Sequence, residues 1–270
     1  MRSLTSWLDH LQLLTPATGV MLVGAGHGEG PFVQWLKQAG AEGVTLVEAE
    51  DTHFAGLQRL AESQPGWRAR NDVVAPEAGP VSFHTASVAT ESGLLEPERL
   101  RALWPNITTR QTQSRDAISL RELLDEAAIP INWLVIDCMP AGALLQAAGE
   151  LLAPVDVIFA RGLLGNAGAM HEEGSLDATA HTLTASGFRL VFTESGRHPE
   201  LGHALLVRDH ATELLTLRKQ VTDAVASQRE AQEQLRKAQA TAHQLKQDVA
   251  DAQTARAQEA ELGAPRFTEL

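Results

Sequence analysis

The chain has 270 residues, with 22 Lys and Arg against 34 Asp and Glu, a formal net charge of −12 and one cysteine, Cys138. That negative balance repels a phosphate backbone and an anionic membrane surface, so nucleic acid is not an expected partner. One cysteine excludes an intrachain disulfide framework or a cysteine-cluster metal site, and no run approaches 18 uncharged apolar residues, so no membrane span and a reducing, cytoplasmic setting are expected.

In chain order, the opening MRSLTSWLDHLQLLTP has Leu4, Trp7, Leu8, Leu11 and Leu14 at helical spacing. Asp9 and His10 interrupt its apolar pattern, so it reads as a packing helix and not as a signal peptide. Apolar runs and helical patterns then alternate: GVMLVGA as a strand, GPFVQWLKQAGA as a helix, GVTLVEAE as a strand, DTHFAGLQRLAES as a helix and WRARNDVVA as a third strand. Strands separated by helices imply right-handed crossovers and a parallel sheet.

Residues 76–130 are less regular. VSFHTA reads as a short strand, SGLLEPERLRALWP as a loop with a helical turn, and TRQTQSR as an exposed strand. SLRELLDEAAI is a helix in which Ser119 caps and Glu122 completes a capping box. INWLVIDCMP is a buried strand, followed by the helix AGALLQAAGELL, the strand VDVIFARGLL and the helix SLDATAHTLTASG. FRLVFTESGRHPELGHALLVRD closes the series as two strands joined by a polar turn, so one strand must run against its neighbours. The expected fold is α/β, a Rossmann-like doubly wound mixed sheet with a terminal antiparallel hairpin, of the type used by S-adenosylmethionine-dependent methyltransferases.

The loop VGAGHGEG after the first strand carries glycines at 24, 26, 28 and 30, with Glu29 where the dinucleotide pattern G-x-G-x-x-G needs its third glycine. A negative charge there opposes a pyrophosphate at a helix N-terminus. S-adenosylmethionine has no phosphate, and Gly24, Ala25, Gly26 and Gly28 permit close approach of backbone to it. Glu48 ends the second strand, where a carboxylate can accept both ribose hydroxyls of a nucleoside. Against this stand a plain tight turn for the glycines and a solvated strand-end acid for Glu48.

Asp137 follows the strand INWLVI at the sheet edge where such folds hold ligands, and reads equally as a base or acceptor ligand and as the cap of the next helix. Cys138 has no neighbouring base and reads as a small buried residue. His27 reads as a ligand contact or a solvated loop residue, and His84, His171, His198 and His203 lack metal-ligand spacing. Arg161 reads as a binder of an anionic group or carboxylate at the same sheet edge or, in preference, as one half of a surface ion pair.

From Val20 to about Asp209, the order of these segments is similar to that of FkbM-type methyltransferases. The resemblance rests on VGAGHGEG, VTLVEAEDTHFAGLQRL, GPVSFHTASVATESGLL, SRDAISLRELLDE and INWLVIDCMPAGALLQAAGELL. It implies S-adenosylmethionine-dependent O-methylation of a sugar or other small hydroxyl acceptor. Departures from the family pattern are Leu22 in place of a strand-end acid, Val135 in place of Lys, Met139 and Gly142 in place of two Glu, and Pro140 in place of Gly, while Ile136 and Asp137 match. These losses keep open an alternative: a catalytically degenerate scaffold of the same fold that oligomerises or binds a protein partner.

The expected domains are 1–210, the α/β unit, 211–262, a coiled coil, and 263–270, a flexible tail. Residues 211–262 contain no Pro, Gly or aromatic residue. They place Leu214, Val221, Gln228, Leu235, Ala242 and Val249 at heptad a, and Leu217, Ala224, Ala231, Ala238, Leu245 and Ala252 at d. Such a seam needs a partner, either another copy in a homo-oligomer or a helical protein.

Overall fold

The computed structural model describes residues 4–171 and 174–262; the expected tail 263–270 lies outside them. The chain divides into two units after Asp209.

The first unit opens with α1 (Leu4–Leu14) and continues β1 (Val20–Val23), α2 (Pro31–Ala39), β2 (Val44–Val47), α3 (Asp51–Glu62), β3 (Trp67–Arg70), β4 (Val73–Ala75), β5 (Gly79–Ala86) and β6 (Thr109–Ser119). It then runs α4 (Leu120–Asp125), β7 (Trp133–Ile136), α5 (Ala141–Ala148), β8 (Val157–Leu163), α6 (Gly165–Met170), α7 (Leu176–Ala185), β9 (Phe188–Ser195) and β10 (Leu201–Arg208). Seven strands form one sheet in the order β3-β2-β1-β7-β8-β10-β9. β10 runs antiparallel to both β8 and β9, so the hairpin inserts one reversed strand. The chain winds outward from β1 to β3 and then resumes on the other side with β7. This reversal opens a crevice at the C-terminal ends of β1 and β7.

Alternation along each strand sends side chains to opposite faces. Met21, Val23, Leu134, Ile136, Ile158, Ala160, Ala204 and Leu206 pack with α4, α5 and α7 through Leu123, Leu144, Leu176 and Leu183. Leu22, Leu46, Trp133, Val135, Phe159 and Leu205 form a second cluster with Leu8 of α1, Phe32 and Trp35 of α2 and Leu57 of α3. Trp35 stacks on Trp133 at 5.4 Å. Both faces are covered, which is why the strands read as unbroken apolar runs.

The stretch WRARNDVVA is not one strand. It breaks at Asn71 and Asp72 into β3, which pairs with β2, and β4, which joins a separate three-stranded sheet ordered β4-β6-β5. That sheet has its own small core of Val73, Ala75, Phe83 and Ala117, and burial there outweighs continued pairing along the edge of the large sheet. The expected helix AGALLQAAGELL stops at Ala148, and a 3₁₀ turn follows from Gly149 to Leu152. α6 was not expected; its Gly-rich sequence has weak helix propensity, and Ala167 packs against Leu163. The capping box is present: Ser119 Oγ accepts from Glu122 N–H at 3.1 Å, and the Glu122 carboxylate accepts from Ser119 N–H at 3.0 Å.

The second unit is α8 (His210–Leu262), 53 residues in one helix. At 1.5 Å per residue it spans about 80 Å. Among the described residues no helix is long and apolar enough to cross a membrane.

Candidate functional site

Strand register gathers the site. Val47, Val23, Ile136, Ala160 and Ala204 lie in one transverse row across β2, β1, β7, β8 and β10. One step beyond that row, at the C-terminal rim of the parallel strands, come Glu48, Gly24, Asp137, Arg161 and His203. Each of the five lies two residues from a member of the α2-side cluster (Leu46, Leu22, Val135, Phe159, Leu205), and so belongs to the same face of the sheet. A row of charge therefore caps an apolar core beneath the glycine loop.

The loop is pinned to the sheet on both sides. Gly24 and Ala25 N–H both donate to Val47 C=O at 2.9 and 3.1 Å, and Asp137 N–H donates to Val23 C=O at 2.8 Å. Gly24 has φ +83°, and a Cβ there would lie 2.9 Å from the Asp137 carbonyl oxygen, so only glycine allows the loop to cross β7 so closely. Gly26 differs: its φ is +57° but a Cβ would meet nothing within 4 Å, so its outer side faces open space. Ala25 and Gly28 are buried, the latter beneath Leu57 and Leu60 of α3.

Glu48 is 8% exposed and turned toward the loop. One carboxylate oxygen accepts from Gly26 N–H at 2.7 Å and the other from Glu50 N–H at 2.8 Å. Each oxygen keeps a second lone-pair site, so two further hydroxyls can be accepted. Nearby, Glu50 Oε2 is buried without a hydrogen bond but 3.9 Å from His53 Nδ1, and the rings of His27 and His53 meet at 3.8 Å. The open side of Gly26 and the carboxylate aimed at it fit a nucleoside cofactor such as S-adenosylmethionine. The loop residues and Glu48 would hold it. Leu22 is buried in the core and offers no charge for the cofactor's amino group.

Asp137 is not a helix cap: Pro140 holds the N-cap position of α5 and makes no side-chain cap bond. Its carboxylate instead accepts from His203 Nε2 at 2.9 Å and lies 3.8 Å from Arg161 Nε. His203 Nδ1 has no hydrogen-bond partner among the described residues. Its ring meets the Phe32 edge at 5.9 Å. Arg161 is not a surface residue. Its guanidinium donates to the Glu91 carboxylate at 2.7 Å and to Thr90 C=O at 3.0 Å, with side-chain exposures of 11% for Arg161 and 1% for Glu91. Burial opposes the Arg161 charge more than any single neighbour favours it, but Glu91 and Asp137 together hold the guanidinium above its ordinary value. Glu91 Oε2 is buried with no partner. The chain Glu91–Arg161–Asp137–His203 thus spans the rim, with one unpartnered acceptor at each end.

Burial, assisted by Asp137 and Glu48, pushes the Cys138 thiol up to about 12, which removes it as a nucleophile. No group of three His, Cys, Asp or Glu among the described residues could hold a metal ion. Sequence reasoning reached Arg161 as a possible binder of a carboxylate at this edge but missed His203 and Glu91. The available signal was a charged or polar residue on the core-facing side of the buried strands VDVIFARGLL and LGHALLVR.

Sheet order, reversed strand and rim site together define a Rossmann-like α/β fold of the methyltransferase type. No family model and no curated protein matches the chain. Solved structures similar to it include magnesium protoporphyrin IX methyltransferase from Synechocystis PCC 6803 with bound SAM (TM-score 0.43, 13% identity, 76% of each chain). Others are a putative RNA methyltransferase from Pyrococcus horikoshii (TM-score 0.41, 11% identity, 76% of this chain and 83% of that one) and methyltransferase FkbM from Methylobacillus flagellatus KT (TM-score 0.44, 13% identity, 71% of this chain and 43% of that one). At such identities the likeness concerns the fold, and the chemistry must be argued from this chain's own residues.

Proposed function

We propose that the first unit transfers a methyl group from S-adenosylmethionine to a hydroxyl acceptor, on a sugar or another small molecule, at the rim between β1, β7 and β10. The observation that carries this reading is the single transverse row that brings the Glu48 carboxylate, the glycine loop and the Asp137–His203 pair to one edge. S-adenosylmethionine supplies an already activated methyl group on a sulfonium, so the protein's share is to bind, orient and remove one proton.

Glu48 accepts the ribose hydroxyls while the Gly24–Gly28 backbone lies against the ligand. Asp137, bonded to His203 Nε2, holds the imidazole with Nδ1 as its free acceptor nitrogen, the atom that takes the acceptor's hydroxyl proton. Arg161, its Nε 3.8 Å from the Asp137 carboxylate, orients that carboxylate and so acts through Asp137 as a positioning residue. His203 fills the role left open by the absent family acids at Met139 and Gly142. Leu22 lowers affinity for the cofactor's amino group without abolishing the nucleoside contacts.

The test is calorimetric titration of the full chain with S-adenosylmethionine and its demethylated product. Saturable binding to the wild type that is clearly weakened in Glu48→Ala supports the reading; no heat at millimolar ligand overturns it. Transfer of labelled methyl to a panel of sugars and small alcohols then tests the acceptor class.

A further inference from the structure

We infer that α8 pairs with α8 of a second copy as a parallel, in-register, two-stranded coiled coil. The seam residues Leu214, Leu217, Val221, Leu235, Leu245 and Val249 are 48–62% exposed on one helix. Val221 and Val249 at a, with Leu217 and Leu245 at d, are the branching pattern that favours two strands, and alanine at the other d positions allows close approach.

Direction follows from two polar features. Gln228 is the one uncharged polar residue among the six a positions. In a parallel, in-register pair it faces its own copy, and two carboxamides can satisfy each other; a one-heptad shift sets it against Val221 or Leu235, and full antiparallel overlap sets it against Ala238. Charge agrees. Parallel pairing sets Glu213 at g beside Arg218 at e of the other copy, whereas full antiparallel overlap sets Arg218 beside Lys246 at both ends. The Arg218 guanidinium and the Lys246 ammonium have no ion-pair partner among the described residues, while Lys237, off the seam, already pairs with Glu233 at 2.8 Å. The occupant that fits this pattern is a second copy of the chain.

The test uses full-length protein. Light scattering should give two chains per particle. Under mild oxidation Ala238→Cys should crosslink to itself and so should Gln228→Cys, with the wild type, which retains Cys138, as the uncrosslinked control. Gln228→Leu should lose the single dimeric species and populate other registers or larger assemblies. A monomer or a trimer by mass overturns the two-stranded assignment. Crosslinking only in a mixture of the Gln228→Cys and Ala238→Cys chains overturns the direction. A Gln228→Leu protein that stays wholly dimeric in one register overturns the role of Gln228.

Discussion

Glu48 and Asp137 end strands on either side of β1, in one row and on one face, yet they are held by opposite means. Backbone N–H groups of Gly26 and Glu50, which cannot titrate, grip Glu48 at 2.7 and 2.8 Å, while the nearest imidazole, His53, stands off at 4.0 Å without a hydrogen bond. Asp137 is gripped by His203 at 2.9 Å, with Arg161 at 3.8 Å, and its main partner can lose or gain a proton. A carboxylate fixed by backbone is suited to recognition, because its geometry stays the same while ligand hydroxyls come and go. A carboxylate fixed to an imidazole is suited to proton transfer, because the partner's charge can change while the carboxylate stabilises the charged form. Under the proposed function the rim has a binding end at Glu48 and a reacting end at Asp137.

Substitutions should separate the two ends. Asp137→Asn, and His203→Gln with it, should lower methyl transfer by about two to four orders of magnitude while cofactor affinity in calorimetry stays within a few-fold. If both variants lost cofactor affinity instead, the division would fail. Arg161→Met leaves the Glu91 carboxylate buried and unpaired, a change that costs about 3–5 kcal/mol in other proteins. Thermal melting should fall by roughly 6–20 °C, at about 2–4 °C per kcal/mol for a unit of this size.

At the binding end, Glu48→Ala should weaken binding of the demethylated cofactor by about 10- to 150-fold, matching loss of charge-assisted hydrogen bonds at about 1.5–3 kcal/mol. Its methyl-transfer rate at saturating cofactor should change less. Remote from both ends, Ser119→Ala removes the capping box and should cost about 1 kcal/mol in urea unfolding, with cofactor affinity unaltered.

Glu98 is a third carboxylate and lies outside the row. The Thr109 hydroxyl and N–H hold its carboxyl down from its ordinary 4.5 to about 2. The folded value lies below the unfolded one, so its stabilising effect is complete above about pH 4.5 and is lost as pH falls through about 2. Glu98→Gln should therefore flatten the acid dependence of the urea midpoint between pH 4.5 and 2. Because the Glu98 side chain is 36% exposed, this should be the smallest of the five effects.

Legibility followed sequence distance. Glu48 and the glycine loop could be picked out because each forms a local pattern at a strand end, small residues after β1 and an acid after β2, although the Gly26–Glu48 contact itself spans 22 residues. The capping box could be read for the same reason. Asp137 could be picked out but its role could not, since His203 lies 66 residues on, and the Arg161–Glu91 pair spans 70. The split of WRARNDVVA was illegible because both halves favour strand and only the partners available to each decide which sheet it joins.

By itself the sequence determined the alternation of strands and helices, the inserted reversed strand, the glycine turn, the Ser119 cap and the unbroken 53-residue helix, all of which rest on periodicity and neighbouring residues. Only the tertiary structure decided that Asp137, Arg161 and His203 stand side by side, because their adjacency is a matter of strand register. A shift of one residue in any of those strands would send its side chain to the other face, and no local pattern records that choice.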